Sequence, residues 1–123
     1  MGCDIHMHVE RGNAERSIEW RYVMDHDQNR NYCLFARLAD VRNQCEPPEQ
    51  PIAKPRGLPE DLTPAVRDDA EGWAVDGHSH SWLTLDEAEQ ARGVNPQFDA
   101  LLDYLRAVLW GPYTARLVFW FDN

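Results

Sequence analysis

Residues 115–121 read Ala-Arg-Leu-Val-Phe-Trp-Phe, and this run constrains the fold more than any other. Successive side chains in a strand point to opposite faces. Here Leu117, Phe119 and Phe121 would share one face, and Val118 and Trp120 the other. A segment apolar on both faces reads as the central strand of a sheet.

Its neighbour is found at the other end of the chain. Residues 3–11 alternate strictly, with Cys3, Ile5, Met7 and Val9 apolar and Asp4, His6, His8 and Glu10 polar. Period two is the strand signal. Gly12-Asn13 is a turn dipeptide, so a return strand is expected at about 17–24, with Ile18, Trp20, Tyr22 and Met24 on one face. Residues 25–30 are polar and read as a loop. A short helix is expected over 31–40, with Leu34, Phe35 and Leu38 inward. Six of the eight prolines fall within 47–64, which forbids regular helix or a central strand there. Ile52, Leu58 and Leu62 argue for a long loop pinned to the surface. Thr84 and Glu87 fit a capping box opening a helix over 85–92. Asn95-Pro96 opens another, which Gly111-Pro112 stops. The stretch around 76–80 reads as a loop.

The sum is one α+β domain over residues 1–123. A small antiparallel sheet holds the N-terminal hairpin and the C-terminal strand, which should lie beside strand 3–11. Two or three helices cover one face, and 47–64 forms a Pro-rich surface loop.

The chain carries 12 Lys and Arg against 21 Asp and Glu, a net charge of −9. Extended nucleic-acid binding needs basic patches, and the sequence has none. No apolar run reaches the roughly 18 residues of a membrane span. Cys3, Cys33 and Cys45 are odd in number and form no Cys-x-x-Cys pair. They read as thiols in a reducing compartment, and the expected location is the cytoplasm.

Four of the five histidines fall in two His-x-His pairs, His6/His8 and His78/His80. Composition alone would give about 0.16 such pairs. On a strand, His6 and His8 point the same way, flanked by Asp4 and Glu10. Imidazoles with carboxylates suit a divalent ion such as zinc or manganese. Asp4, His6, His8, His78 and His80 are the candidate ligands, and His6 should lie near His78. Two other readings stand beside this one: metal-free use of the same histidines in catalysis or ligand binding, and a polar solvated sheet face. His6 and His78 are the foremost catalytic candidates. Glu10 reads as a salt-bridge partner or a general base. Asp4 reads as a ligand or as a group orienting a histidine. His26 reads as a solvated loop residue.

Arg56 sits in the one concentrated basic spot, Lys54-Pro55-Arg56-Gly57, and could clamp a phosphate. Ser81 and Trp82 adjoin the second histidine pair, and Trp82 could stack on a base.

These same residues carry a resemblance. Met-Gly-Cys-Asp-Ile-His at the start with Glu10, Pro-Arg-Gly-Leu-Pro at 55–59, His-Ser-His-Ser-Trp-Leu-Thr at 78–84 and Val-Phe-Trp-Phe-Asp-Asn at 118–123 are similar to a family of small phage and prophage proteins. The family brings no established activity with it. The resemblance implies that Asp4, His6, Glu10, Arg56, His78 and Ser81 belong to one constellation. It also implies a setting in the cytoplasm of a bacterial host, where small phage proteins counter host processes such as nucleotide-signalled immunity.

The leading expectation is a small hydrolase. Its histidine cluster, with a divalent metal, would act on a phosphodiester or related bond of a small nucleotide. The alternatives are a protein that sequesters such a nucleotide without cleaving it, with a pocket at a homo-oligomer interface, and an acidic interaction protein that blocks a host enzyme.

Overall fold

The computed structural model describes residues 2–15 and 19–123. Strand β1 (Asp4–Asn13) and strand β2 (Arg21–His26) open the chain, followed by helix α1 (Tyr32–Ala39). Helix α2 (Pro64–Trp73) comes after the Pro-rich loop, then strand β3 (Gly77–Thr84) and helix α3 (Leu85–Ala88). Helix α4 (Pro96–Val108) and strand β4 (Tyr113–Asp122) complete an α+β domain. The four strands form one sheet in the order β2-β1-β4-β3, and every neighbouring pair is antiparallel.

The doubly apolar β4 occupies a central position beside β1, as its sequence requires. The register pairs Ile5 with Phe121, Met7 with Phe119 and Val9 with Leu117. These side chains share the inner face, where α1, α3 and α4 supply Leu34, Phe35, Leu38, Leu85, Phe98, Leu102 and Leu105 to the main core. The other face of β4 is covered as well. Val118 and Trp120 pack against Leu62, Val66 and Ala70, so α2 with the end of the preceding loop roofs the outer face. Helices therefore cover both faces, not one.

The helix starts follow their caps. Asn31 accepts from the Leu34 N–H, and Asn95 accepts from the Phe98 N–H. The Thr84/Glu87 box is complete, with both reciprocal bonds present. The helix expected over 85–92 is one α-turn continued by a 3₁₀ turn at Glu89–Ala91.

Four expectations need correction. Residues 77–84, read as a loop, form the edge strand β3. Its Gly, Ser and His content hides a strand whose packing comes from β4. The return strand runs to His26, past the expected end, while its expected start at 17 and 18 lies outside the described residues. Tyr22 and Met24 do not share a face: the pairing slips between Val9 and Glu10, leaving Val23 as the extra residue of a bulge. Cys33 and Cys45 are joined by a disulfide, and only Cys3 is a free, buried thiol. Among the described residues no helix is long and apolar enough to cross a membrane.

Candidate functional site

The alternation of β1 puts Ile5, Met7 and Val9 in the core and turns His6, His8 and Glu10 to the outer face. There they face Trp120, Val118 and Arg116 across the β1–β4 ladder. The two histidines are held differently, each by its own carboxylate.

His6 Nε2 lies 2.5 Å from Asp122 Oδ2. The carboxylate is an acceptor, so in the neutral ring Nε2 carries the proton and Nδ1 keeps its lone pair. The ring stands 4.1 Å from Trp73 at the end of α2 and remains a quarter exposed. His8 is buried, with Nε2 donating to Asp69 Oδ2 at 2.7 Å. Its Nδ1 then accepts from the Tyr22 hydroxyl at 3.2 Å. Burial, Asp25 and Asp69 push the Tyr22 phenol up, so it stays protonated and able to donate. Both nitrogens of His8 are thus engaged, whereas His6 keeps one.

Pairing between β1 and β2 stops at Met7 and His26, so β1 loses that neighbour at Ile5 and His6. The gap is a cleft of about 250 Å³ lined by Ile5, His6, Met7, His8, Asp25, His26, Asp27 and Asp69. Among the described residues no lysine or arginine lines it. His26, read as a solvated loop residue, instead ends β2, bonds Gln28 at 2.9 Å and faces this cleft.

The second histidine pair is split by a bulge. Ser79 has φ 56°, and the β3–β4 register jumps between His78 and Ser81. His78 consequently pairs with Phe121 on the inner side, its ring 6.2 Å from that phenyl. It bonds Ser79 Oγ at 2.9 Å and Asn123 Oδ1 at 3.1 Å. His80 emerges on the outer face, stacked on Trp120 at 5.8 Å. Burial, with a smaller push from His78, lowers the His80 pKa and favours its neutral form. The expected nearness of His6 and His78 therefore fails, because they lie on opposite faces; His80 takes the place beside Trp120.

The other candidates have structural partners. Glu10 is fully buried, bonding Arg116 Nε at 2.6 Å and the Thr63 N–H at 2.8 Å. That is the salt-bridge reading, not a base facing a cleft. Arg56 gives both terminal nitrogens to Glu87, at 2.8 and 2.6 Å, and lies 4.7 Å above the Trp82 ring. Its fork is occupied and does not face the histidines' cleft. Ser81 is buried and accepts the Arg56 N–H, pinning the Pro-rich loop to β3. Trp82 lines a separate shallow groove with Arg56, Leu58 and Arg116. Asp4 is exposed and doubly bonded to Arg30, which holds its carboxyl below the usual range.

Among the described residues no three His, Cys, Asp or Glu side chains converge to hold an ion. Of the expected ligands, Asp4, His6, His8 and His80 lie on the outer face and His78 on the inner one, and Asp4, His6, His8 and His78 are each bonded to other side chains.

Asp69, Trp73 and Asp122 escaped the sequence reading. Asp122 had a signal: it follows Trp120 by two residues and so shares its face. Asp69 and Trp73 had none, because α2 was not anticipated. Searches with this chain against protein-family models, curated proteins and solved structures find no match.

Proposed function

We propose that the protein is a small hydrolase in which His6, oriented by Asp122, acts as general base on a small nucleotide-like ligand. The observation that carries this reading is the 2.5 Å His6–Asp122 contact at the wall of the cleft. A carboxylate on one imidazole nitrogen fixes the tautomer and stabilises the imidazolium formed when the other nitrogen takes a proton. His6 Nδ1 would accept that proton from water as its oxygen attacks the phosphorus, the P–O bond to the leaving alkoxide would break, and the alkoxide would take up a proton from solvent, after which the imidazolium returns its own to solvent. The Asp122 negative charge would then offset the new positive charge on the ring.

The expected divalent metal finds no converging donor set among the described residues, so no step is routed through it. The partly exposed rings of Trp73, His6 and His80 on the outer face support the nucleotide part of the reading, since flat rings stack on bases. The phage setting and a role against host nucleotide signals extend that proposal from the resemblance of the sequence.

A second reading is sequestration without cleavage. It is favoured by His8, whose two nitrogens are both occupied, leaving the cleft with no second free imidazole on β1. The test is incubation of the protein with a panel of linear and cyclic di- and trinucleotides, followed by mass spectrometry after denaturation. Converted product is expected; intact, tightly co-purifying ligand would replace hydrolysis with sequestration.

A further inference from the structure

The buried imidazole of His8 stands between two groups of opposite character. Its Nε2 donates to Asp69 Oδ2 at 2.7 Å, and its Nδ1 accepts from the Tyr22 hydroxyl at 3.2 Å. A carboxylate, an imidazole and a hydroxyl joined in that order are the parts of an orienting group, a base and a nucleophile. Three elements supply them: α2 gives Asp69, β1 gives His8 and β2 gives Tyr22. The bulge at Val23 completes the set. It pairs Tyr22 with Glu10, which puts the phenol on the outer face with His8, where unbroken alternation would leave it inward with Met24. Tyr22 is 40% exposed, and His8, Asp25 and Asp69 beside it all line the cleft, so a small electrophile can approach. The other tyrosines are placed differently. Tyr32 accepts the Cys3 N–H, and among the described residues no histidine bonds Tyr104 or Tyr113.

We propose that Tyr22 is a nucleophile that takes up the acyl group of an uncharged carboxylic ester, with His8 as its base and Asp69 as the residue positioning that base. The inference goes beyond the His6–Asp122 reading and uses neither of those residues. Tyr22 Oη attacks the ester carbonyl carbon while its proton passes to His8 Nδ1, and the Asp69 carboxylate offsets the positive charge formed on the ring. The C–O bond to the leaving alkoxide then breaks, and the alkoxide takes that proton from His8. Water next attacks the acyl-tyrosine and gives a proton to His8 Nδ1. The acid is released, and the departing Tyr22 phenolate recovers the proton from His8. Burial, then the Asp25 and Asp69 charges, hold the phenol above its ordinary range, so it reacts only with a base in place to take its proton. The same two carboxylates repel an anion, which is why the ester is uncharged.

The test is labelling of the full chain at pH 7 with phenylmethanesulfonyl fluoride, read by peptide mass spectrometry. This uncharged electrophile loses fluoride and leaves a stable sulfonate ester on a phenol. Tyr104 and Tyr113, 52% and 38% exposed, are controls within the same molecule. An unassisted phenol titrates near about 10 and is almost wholly protonated at pH 7. Tyr22 should be labelled about a hundredfold faster than either control, the lower end of what a positioned base contributes. H8Q should bring Tyr22 down to the rate of the controls. Because His8 is buried, D69N is the companion variant: Asp69 is half-exposed and the change keeps its size. In D69N the Tyr22 rate should fall by about tenfold or more, with Tyr104 unchanged. p-Nitrophenyl acetate should give a burst of nitrophenol that Y22F lacks, and bis(p-nitrophenyl) phosphate should give no burst. Tyr22 labelled no faster than Tyr104, or labelled equally in the parent and folded D69N, would reduce the three residues to a structural network. A burst from the phosphate diester that Y22F removes would overturn the uncharged ester.

Discussion

His6 and His78 bind consecutive residues from opposite faces of the sheet. His6 Nε2 reaches Asp122 at 2.5 Å, and His78 Nε2 reaches Asn123 at 3.1 Å. A half-turn of strand separates a cleft-side imidazole from one beside the Phe121 ring. H78A should therefore keep nucleotide turnover within a factor of about three and lose about 1–2 kcal/mol of stability, the worth of its two hydrogen bonds to Ser79 and Asn123. Turnover assays and urea melts on the same preparation check both. Loss of turnover in folded H78A would show that the two faces act together.

Glu10 belongs to the stability of the fold. Its carboxylate is fully buried between Arg116 and the start of α2. Removing one member of such a buried pair costs about 3–5 kcal/mol, and Arg116, though still bonded to Asp61 at 2.8 Å, is left with its buried Nε–H unpaired. E10A should lose that much in urea unfolding, with α2 loosened first. A folded E10A of parental stability and no turnover would restore Glu10 as a catalytic group.

The Arg56–Glu87 pair gives a pH signature. Arg56 first, then the Thr84 N–H, hold the Glu87 carboxyl down from 4.5 to about 2. A lowered folded pKa contributes stability above the unfolded value and loses it as pH falls through the folded one. The stability difference between parent and E87Q should be constant above pH 4.5 and vanish towards pH 2. Thermal melts of both proteins at pH 7, 4 and 2.5 measure it. A difference unchanged at the lowest pH would mean the pair does not titrate as a unit.

The Cys33–Cys45 disulfide closes a short loop, with a sequence separation of 12, onto the first turn of α1. A cross-link of this span stabilises by roughly 3 kcal/mol through the unfolded chain. C33S/C45S should lose about that much in urea and keep the sheet, read by circular dichroism. Equal stability of parent and variant would mean the two sulfurs are not bonded in solution.

Much of the fold was legible because single elements carried their own signals. The two-faced apolarity of β4, the alternation of β1 and the caps at Thr84 and Asn95 each act within a few residues. The site was less legible because it depends on two breaks of period. The bulge at Ser79 turns His78 inward and His80 outward, and the slip at Val9/Glu10 brings Tyr22 beneath His8. A strict period of two hides both. Asp69 and Trp73 depend on α2, whose burial rests on Val66 and Ala70, too short a stripe to stand out.

The most direct measurement is the rate of nucleotide hydrolysis by H6A, D122N and H6A/D122N side by side with the parent. A base and the carboxylate that orients it act as one unit, so their losses do not add. Each single variant should fall by about 10²–10⁴, the usual contribution of general base catalysis. The double variant should be no slower than H6A. Losses that multiply in the double variant, or an H6A enzyme as fast as the parent, would contradict the His6–Asp122 dyad as the centre of the chemistry.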